Sequence, residues 1–272
     1  MISVLKKKSL ILGVFIIIML MAGITTINND RTVLTSSGAV VDLSNKKIEW
    51  GIKRNDNHKQ PDLGSVNKGI IDKYNGMAMG NDNSKKVYLT FDMGYEAGYT
   101  EKILAILREN DVKATFFITA HYVNTKPELV QKMIDEGHIV GNHTVNHKSM
   151  PSLSLEEIKK EVMDLHTSIY QKFGYEMKYI RPPKGEYSEK TVSYTNTLGY
   201  KTVMWSFAYD DWDENKQGRE KYAKEKILNN VHNGEIILLH GNSRDNTNVL
   251  DECIKEIKKM GYEFKSLEEF QK

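Results

Sequence analysis

Val87-Tyr88-Leu89-Thr90-Phe91-Asp92-Met93-Gly94 is the stretch on which the reading of this chain turns. Its first five residues are apolar, aromatic or β-branched and show no polar face, the pattern of a strand buried on both sides. Asp92 stands at the strand's carboxyl end, where a carboxylate must stay exposed or find a partner, because burying it alone is costly. The plainer reading of Asp92 is a cap for the helix that opens near Thr100. Downstream the strand-then-helix unit recurs. Thr100 opens a helical pattern with Ile103, Leu104 and Leu107, and Ala114–Thr119 is strand-like. Thr125-x-x-Glu128 reads as a capping box before Leu129, Val130, Met133 and Ile134, and Gly137 stops that helix. Ile139-Val140 begins another strand, and Ser154-x-x-Glu157 caps a helix that carries Ile158, Val162, Leu165 and Ile169 and ends at Gly174. Strand-like Tyr179-Ile180, a short helix to Gly199, strand Thr202–Phe207, helix Glu220–Val231, strand Ile236–Leu239, a helix ending at Gly261 and a strand near Phe264 complete the pattern. About seven β/α alternations predict a parallel α/β fold, either an irregular barrel or a doubly wound sheet. In a barrel, chemistry gathers at the carboxyl ends of the strands.

Upstream, Lys6, Lys7 and Lys8 precede the apolar run Ser9–Ile24. Extended to Ile27, that run suits an uncleaved membrane anchor better than a cleaved signal, with the amino terminus in the cytoplasm and the rest of the chain outside. Residues 28–48 are polar and read as a stalk. Trp50 to about Gly80 is mixed, either linker or an arm packed on the main domain. The chain has 38 Lys plus Arg against 36 Asp plus Glu, a balance that argues against a general nucleic-acid binder. Its single Cys, Cys253, excludes a disulfide-stapled scaffold; among Leu250, Ile254 and Ile257 at helical spacing it reads as a small buried hydrophobe.

The titratable residues fall where a barrel demands. Asp92 follows Val87–Phe91, His143 and His147 follow Ile139-Val140, and Arg181 follows Tyr179-Ile180. Asp210 and Asp211 follow Thr202–Phe207, and His240 follows Ile236–Leu239. The i, i+4 spacing of His143-Thr-Val-Asn-His147 can aim two imidazoles at one metal, although two surface histidines also occur at that spacing. Arg181 sits before the rigid Pro182-Pro183, which suits a positioned side chain, although a surface ion pair is the plainer reading. His240 is either a satisfied core histidine or a general acid/base. Together these residues are the parts needed to hydrolyse an amide or ester with a metal-bound water. No G-x-S-x-G and no Walker loop is present.

Residues 85–270 resemble the polysaccharide deacetylases, the NodB homology domain. Thr90-Phe91-Asp92-Met93-Gly94 is similar to the family's T-F-D-D-G, His143-Thr-Val-Asn-His147 to H-[ST]-x-x-H, and Arg181-Pro182-Pro183-Lys184-Gly185 to its third motif. Asp211-Trp212 is similar to the end of D-x-x-D-W, and Leu238-Leu239-His240 to L-x-H. Gly94-Tyr95-Glu96-x-Gly98-Tyr99-Thr100, Gly137 to His143 and Ser243-Arg244-Asp245-Asn246 resemble the branch that deacetylates N-acetylmuramic acid in spore formers, on the way to the muramic δ-lactam of spore cortex. Trp50 to Gly80 resembles that branch's pre-catalytic arm. The expected organisation is therefore an anchor or signal over 1–27, a stalk over 28–48, an arm over 49–84 and a catalytic domain over 85–272, with an irregular (β/α)7-type barrel at its centre.

The resemblance implies Asp92 as general base, Arg181 as its holder, His240 as general acid and Asp211 near both. It implies His143 and His147 as ligands of a divalent metal, zinc or else manganese, cobalt or magnesium. Leu238 would line the acetyl-methyl pocket, a backbone N–H around Lys184 would help hold the oxyanion, and Trp212 would meet the substrate. The implied partners are the peptidoglycan glycan strand, the membrane through the amino-terminal helix, and an N-acetylmuramoyl-L-alanine amidase acting upstream. Two departures stand out. Met93 replaces the family's second Asp, a metal ligand, and a thioether is a poor partner for these ions. Ala208 replaces the Asp that usually opens the fourth motif, leaving Asp211 as the candidate partner of His240, with Asp210 in solvent. Muramic acid without its stem peptide carries a free lactyl carboxylate, which Arg244 could pair with bidentately; a surface arginine is the alternative. Rival readings are a deacetylase of another glycan and a non-catalytic glycan binder.

Overall fold

The computed structural model describes the backbone of residues 32–34 and 40–42 and the whole of residues 43–272. The run Ser9–Ile24, expected as an anchor, lies outside the described residues, and among those described no helix is long and apolar enough to cross a membrane. In chain order the elements are β1 (Thr32–Leu34), β2 (Val40–Asp42), β3 (Ile48–Glu49), α1 (Ser65–Lys73), β4 (Lys86–Met93), α2 (Thr100–Glu109), β5 (Thr115–Ile118), α3 (Ala120–Thr125), α4 (Pro127–Asp135), β6 (Ile139–Asn142) and α5 (Leu155–Phe173). They continue with β7 (Tyr179–Ile180), β8 (Glu186–Tyr187), α6 (Glu189–Thr197), β9 (Lys201–Thr202), α7 (Glu220–Asn230), β10 (Glu235–His240), α8 (Arg244–Lys259) and β11 (Glu263–Phe264).

The main sheet is parallel, in the order β10-β4-β5-β6-β7-β9, with β11 beside the start of β4. Within this sheet β4, β5, β6, β7 and β9 follow one another in chain order, and β10 returns to the other side of β4, the winding sense of a barrel. The sheet curls but does not close with a regular ladder. Between β9 and β10 the link is the single bridge Phe207↔Ile237. The expected strand Thr202–Phe207 is thus reduced to two residues of ladder. The segment beyond β9 is engaged elsewhere: Val203 bridges to Met77, and Arg181 donates from Nε to the Val203 carbonyl at 3.2 Å and from Nη2 to the Met204 carbonyl at 3.5 Å.

Strand periodicity sorts the core. Val87, Leu89, Phe91 and Met93 of β4 face the helices, as do Ile237 and Leu239 of β10. Tyr88 and Ile236 face the inside of the curl with Phe117, Ile139, Tyr179 and Val203. Because successive side chains point to opposite faces, Asp92 and His240 lie on the inner face at the carboxyl rim, and Met93 does not.

Helix α5 begins with the capping box expected at Ser154 and Glu157 and ends on Gly174 in the left-handed region. The box expected at Thr125 is absent. Thr125 closes α3, which Thr119 caps, and α4 starts after Lys126 with Pro127 in its first turn. Proline there disfavours helical backbone at the preceding residue and splits the segment in two.

The stretch before the domain packs on it. Leu43 is buried, and β3 pairs antiparallel with β8. Trp50 is buried with Leu63, Ile71, Tyr187 and Met204; its Nε1 donates to the Trp205 carbonyl at 2.9 Å and its backbone N–H to the Gly185 carbonyl at 2.9 Å. Gly185 has φ 67, and a Cβ there would lie 2.7 Å from the Trp205 ring, so the loop after Arg181 needs glycine at this point.

Candidate active site

The parallel register of β10 on β4 sets His240 opposite Asp92, so two titratable side chains leave adjacent strand ends at one level. Both line a cleft of ≈ 1110 Å³, together with His143, His147, Lys184, Trp212 and Leu238. Tyr95, His121, Trp205, Tyr209, Glu214 and Asn242 complete its walls.

Asp92 is held by Arg181, whose Nη1 donates to Oδ1 at 2.8 Å. The guanidinium is fully buried and lies 4.3 Å from the centroid of the Phe117 ring. Burial works against the Asp92 carboxylate, but the charge and hydrogen bond of Arg181, with the nearby His143 and His240, together outweigh it, and the pKa lies below the ordinary value. Asp92 is therefore an ionised acceptor at neutral pH.

His240 is governed the other way. Its Nδ1 donates to Asp211 Oδ1 at 2.8 Å, and its backbone N–H donates to Asp211 Oδ2 at 2.8 Å. Burial disfavours the imidazolium, yet the charge and hydrogen bond of Asp211 prevail and raise the pKa. Asp211 is itself fixed by Asn246, whose Nδ2 donates to Oδ2 at 2.5 Å, while Tyr209 donates from its hydroxyl to Asn246 Oδ1. The loss of the usual Asp at Ala208 thus leaves His240 with a carboxylate partner. Asp210 turns away to Lys216, 3.0 Å distant.

His143 and His147 converge, with Nε2 atoms 3.1 Å apart. They sit in a turn, not a helix: Thr144 and His147 have φ 66 and 54. Glu161 of α5 pins this turn by accepting from Asn146 N and Nδ2, both at 2.7 Å, and its own carbonyl accepts from Val145 N at 2.9 Å. His143 Nδ1 lies 2.9 Å from the Arg181 carbonyl, which requires Nδ1 to carry the proton and leaves Nε2 with its lone pair. Burial lowers the pKa of His143, and burial and the neighbouring His143 bring that of His147 to about 4. Both rings are neutral at pH 7, the form that binds metal.

The donor set fits a divalent ion at two positions. Two neutral nitrogens around a tetrahedral ion would stand roughly 3.3 Å apart, close to the spacing here. The third position of the family is missing: Met93 is buried on the helix-facing side, and a Cβ on Gly241 would lie 2.2 Å from its sulfur. Asp92 Oδ2, 3.4 Å from His143 Nε2, is the nearest carboxylate. Among the described residues no group of three or more His, Cys, Asp or Glu side chains forms a metal-binding cluster.

The expected residues therefore assemble, with one exception. Arg244 does not line this cleft; it lines an adjoining pocket of ≈ 360 Å³. Asn246 falls in the branch-like segment Ser243–Asn246, whereas the supporting residues Glu161, Tyr209 and Trp205 carry no local sequence signal, since each comes from an element remote from the residue it supports. Cys253 is buried, and burial pushes its thiol up to about 12, in line with a packing role.

The polysaccharide deacetylase family profile matches residues 79–203. The peptidoglycan-N-acetylmuramic acid deacetylase PdaA of Bacillus subtilis is 42% identical over 84% of this chain and 87% of its own length. The solved structure of that protein, described as a family 4 carbohydrate esterase, superposes with a TM-score of 0.81 over 84% of this chain and 98% of that one. A family 4 pseudoenzyme from Bacillus anthracis is also similar, at 27% identity and a TM-score of 0.67 over 71% of this chain and 67% of that one. The chain belongs to the polysaccharide deacetylase family.

Proposed function

We propose that this chain hydrolyses the N-acetyl group of stem-free N-acetylmuramic acid in peptidoglycan, a step toward the muramic δ-lactam of spore cortex. One observation carries the reading. A carboxylate whose pKa is lowered by a buried guanidinium and an imidazole whose pKa is raised by a buried carboxylate face one cleft from neighbouring strand ends. Those opposite shifts favour the ionised base and the protonated acid that must coexist at a single pH. Asp92 takes a proton from the attacking water as its oxygen bonds to the acetyl carbon. Arg181 keeps Asp92 ionised and aimed. His240 then gives its proton to the amine nitrogen as the C–N bond breaks, leaving acetate and a free amine. Leu238 lines the space for the acetyl methyl, a backbone N–H near Lys184 supports the developing oxyanion, and exposed Trp212 offers a ring face to the sugar.

His143 and His147 would hold the divalent ion, zinc or else manganese, cobalt or magnesium, which when bound supplies Lewis-acid polarisation of the acetyl oxygen. With Met93 turned into the core, two imidazoles hold this ion more weakly than three protein ligands would. Zinc binding measured by calorimetry is expected to be weak and lost in His143→Ala; tight binding that survives this change would contradict the assignment. An amidase that removes the stem peptides acts first, and the amino-terminal run anchors the enzyme on the outer side of the membrane.

The test is acetate release from peptidoglycan with and without its stems, with the deacetylated sugar identified by mass spectrometry. Loss of acetate from muramic acid only, on stem-free chains only, is the expected result. Loss from glucosamine would move the reading to another glycan deacetylase. Met93 favours a second reading, a non-catalytic glycan binder, which predicts binding without acetate. The paired settings of Asp92 and His240 weigh against it, because a binder needs neither a base nor an acid.

A further inference from the structure

The pocket of ≈ 360 Å³ beside the cleft is lined by Tyr95, Ala97, Tyr99, Glu214, Gln217, Asn242 and Arg244. Tyr95, Glu214 and Asn242 line the cleft as well, so the two spaces share one wall. Asn242 ties that wall together, with Nδ2 donating to the Tyr95 hydroxyl at 2.8 Å and to the Trp212 carbonyl at 3.2 Å. A polymer whose reacting sugar sits in the cleft meets this pocket on the other side of that wall.

Arg244 is the pocket's cation. It is the first residue of α8, where the helix dipole disfavours positive charge. Among the described residues no ion pair shorter than 3.9 Å offsets that cost. Its nearest carboxylate among the described residues is Asp245, at 3.9 Å from Nε. Both Asp245 oxygens are already taken, accepting from Gly218 N at 2.7 Å and Arg219 N at 2.8 Å. The other acid of the pocket, Glu214, accepts from the Tyr95 hydroxyl. The first N–H groups of α8 are also used: Arg244 N and Asp245 N donate to Gln217 Oε1 at 2.9 and 3.3 Å, and Asn246 N donates to Ser243 Oγ at 3.2 Å. The half-exposed guanidinium is what remains to meet a ligand.

The geometry points to this pocket as an anion subsite in which Arg244 pairs with a lactyl carboxylate of the glycan. The inference rests on the peptidoglycan reading above and narrows it, because an intact stem would convert that carboxylate to an amide. The carboxylate belongs either to the reacting sugar or to the next muramic acid along the strand.

The test compares wild type, Arg244→Ala and Arg244→Lys on a disaccharide and a tetrasaccharide of the wall, each with free or amidated lactyl groups, reading acetate release and equilibrium binding. Loss of a charge-assisted pair at a half-exposed site predicts a KM and Kd about tenfold higher for Arg244→Ala on free carboxylates, with kcat unchanged. Lys should recover part of this, because it keeps the charge and loses the planar fork. On amidated glycan all three proteins should match. An effect already present on the disaccharide assigns the reacting sugar; one confined to the tetrasaccharide assigns its neighbour. Unchanged KM and Kd in Arg244→Ala would overturn the subsite while leaving the deacetylase reading intact. Arg244-dependent binding with no acetate released by wild type would keep the subsite and remove that reading.

Discussion

The two ends of the curled sheet treat buried titratable groups in opposite ways. At the carboxyl rim, Asp92 faces Arg181 and His240 faces Asp211, and each partner pulls its group toward the charged form. At the amino floor no partner outweighs burial. Burial brings His138, just before β6, and His232, just before β10, to about 4. Burial also raises Glu235, at the start of β10, well above the carboxylate range, and among the described residues neither of its oxygens has a hydrogen-bond partner. The floor is neutral and the rim is ionised. Paired charge is kept where the proposed proton transfer would need it, and elsewhere the same fold lets burial neutralise the group. The imidazoles of His143 and His147 are the exception at the rim, and their neutrality is the state a metal ligand requires.

The largest expected break in this contrast comes from Arg181→Met. It strands the Asp92 carboxylate in a buried site and should cost about 3–5 kcal/mol in urea unfolding, with turnover falling by at least about a hundredfold. A variant as stable as wild type would mean that Asp92 does not rely on Arg181.

Asp211→Asn should act on pH dependence more than on rate at the optimum. His240 must be protonated to serve the leaving amine, so kcat falls as pH rises through its pKa. Asp211 raises that pKa, and its neutralisation should move the alkaline limb to lower pH. The same pair stabilises the fold below the ordinary histidine pKa and fades as pH rises through the raised one, a slope that the variant should flatten. An alkaline limb that stays in place would assign it to another group.

Glu235→Gln tests the floor and should have the smallest effect. The folded carboxyl keeps its proton to higher pH than the unfolded chain does, so stability is full below the ordinary carboxylate pKa and declines as pH rises toward the raised value. His232 at 3.8 Å and Tyr262 are the titratable groups that face it. Removing the titration should flatten that decline with rising pH and leave turnover unchanged. Lower stability at neutral pH would show that the carboxyl has a partner it needs.

Much of the rim was legible in the chain because strand ends are marked by an apolar run followed by a titratable residue. Val87–Phe91 before Asp92 and Ile236–Leu239 before His240 both follow that rule. The cap at Ser154 was legible because its partners lie three residues apart. Thr125 offers the same spacing, but Pro127 breaks the helix there. Residues 202–207 look like a strand, but two of their carbonyls turn to a guanidinium from another part of the chain. Met93 sits beside Asp92 in sequence and on the opposite face of β4 in space, a consequence of strand alternation that the motif alone conceals. The residues that hold the site, Glu161, Asn246 and Trp50, act across long sequence separations and leave no local period.

The most direct measurement is acetate release from amidase-treated peptidoglycan by the full chain and by Asp92→Asn, run side by side with a melting curve for each. The predicted result is release by the wild type and a rate lower by about 10²–10⁴ in the variant, which stays folded. Equal release by the two proteins, or none by the wild type while the glycan still binds, would contradict Asp92 as the base of a deacetylase.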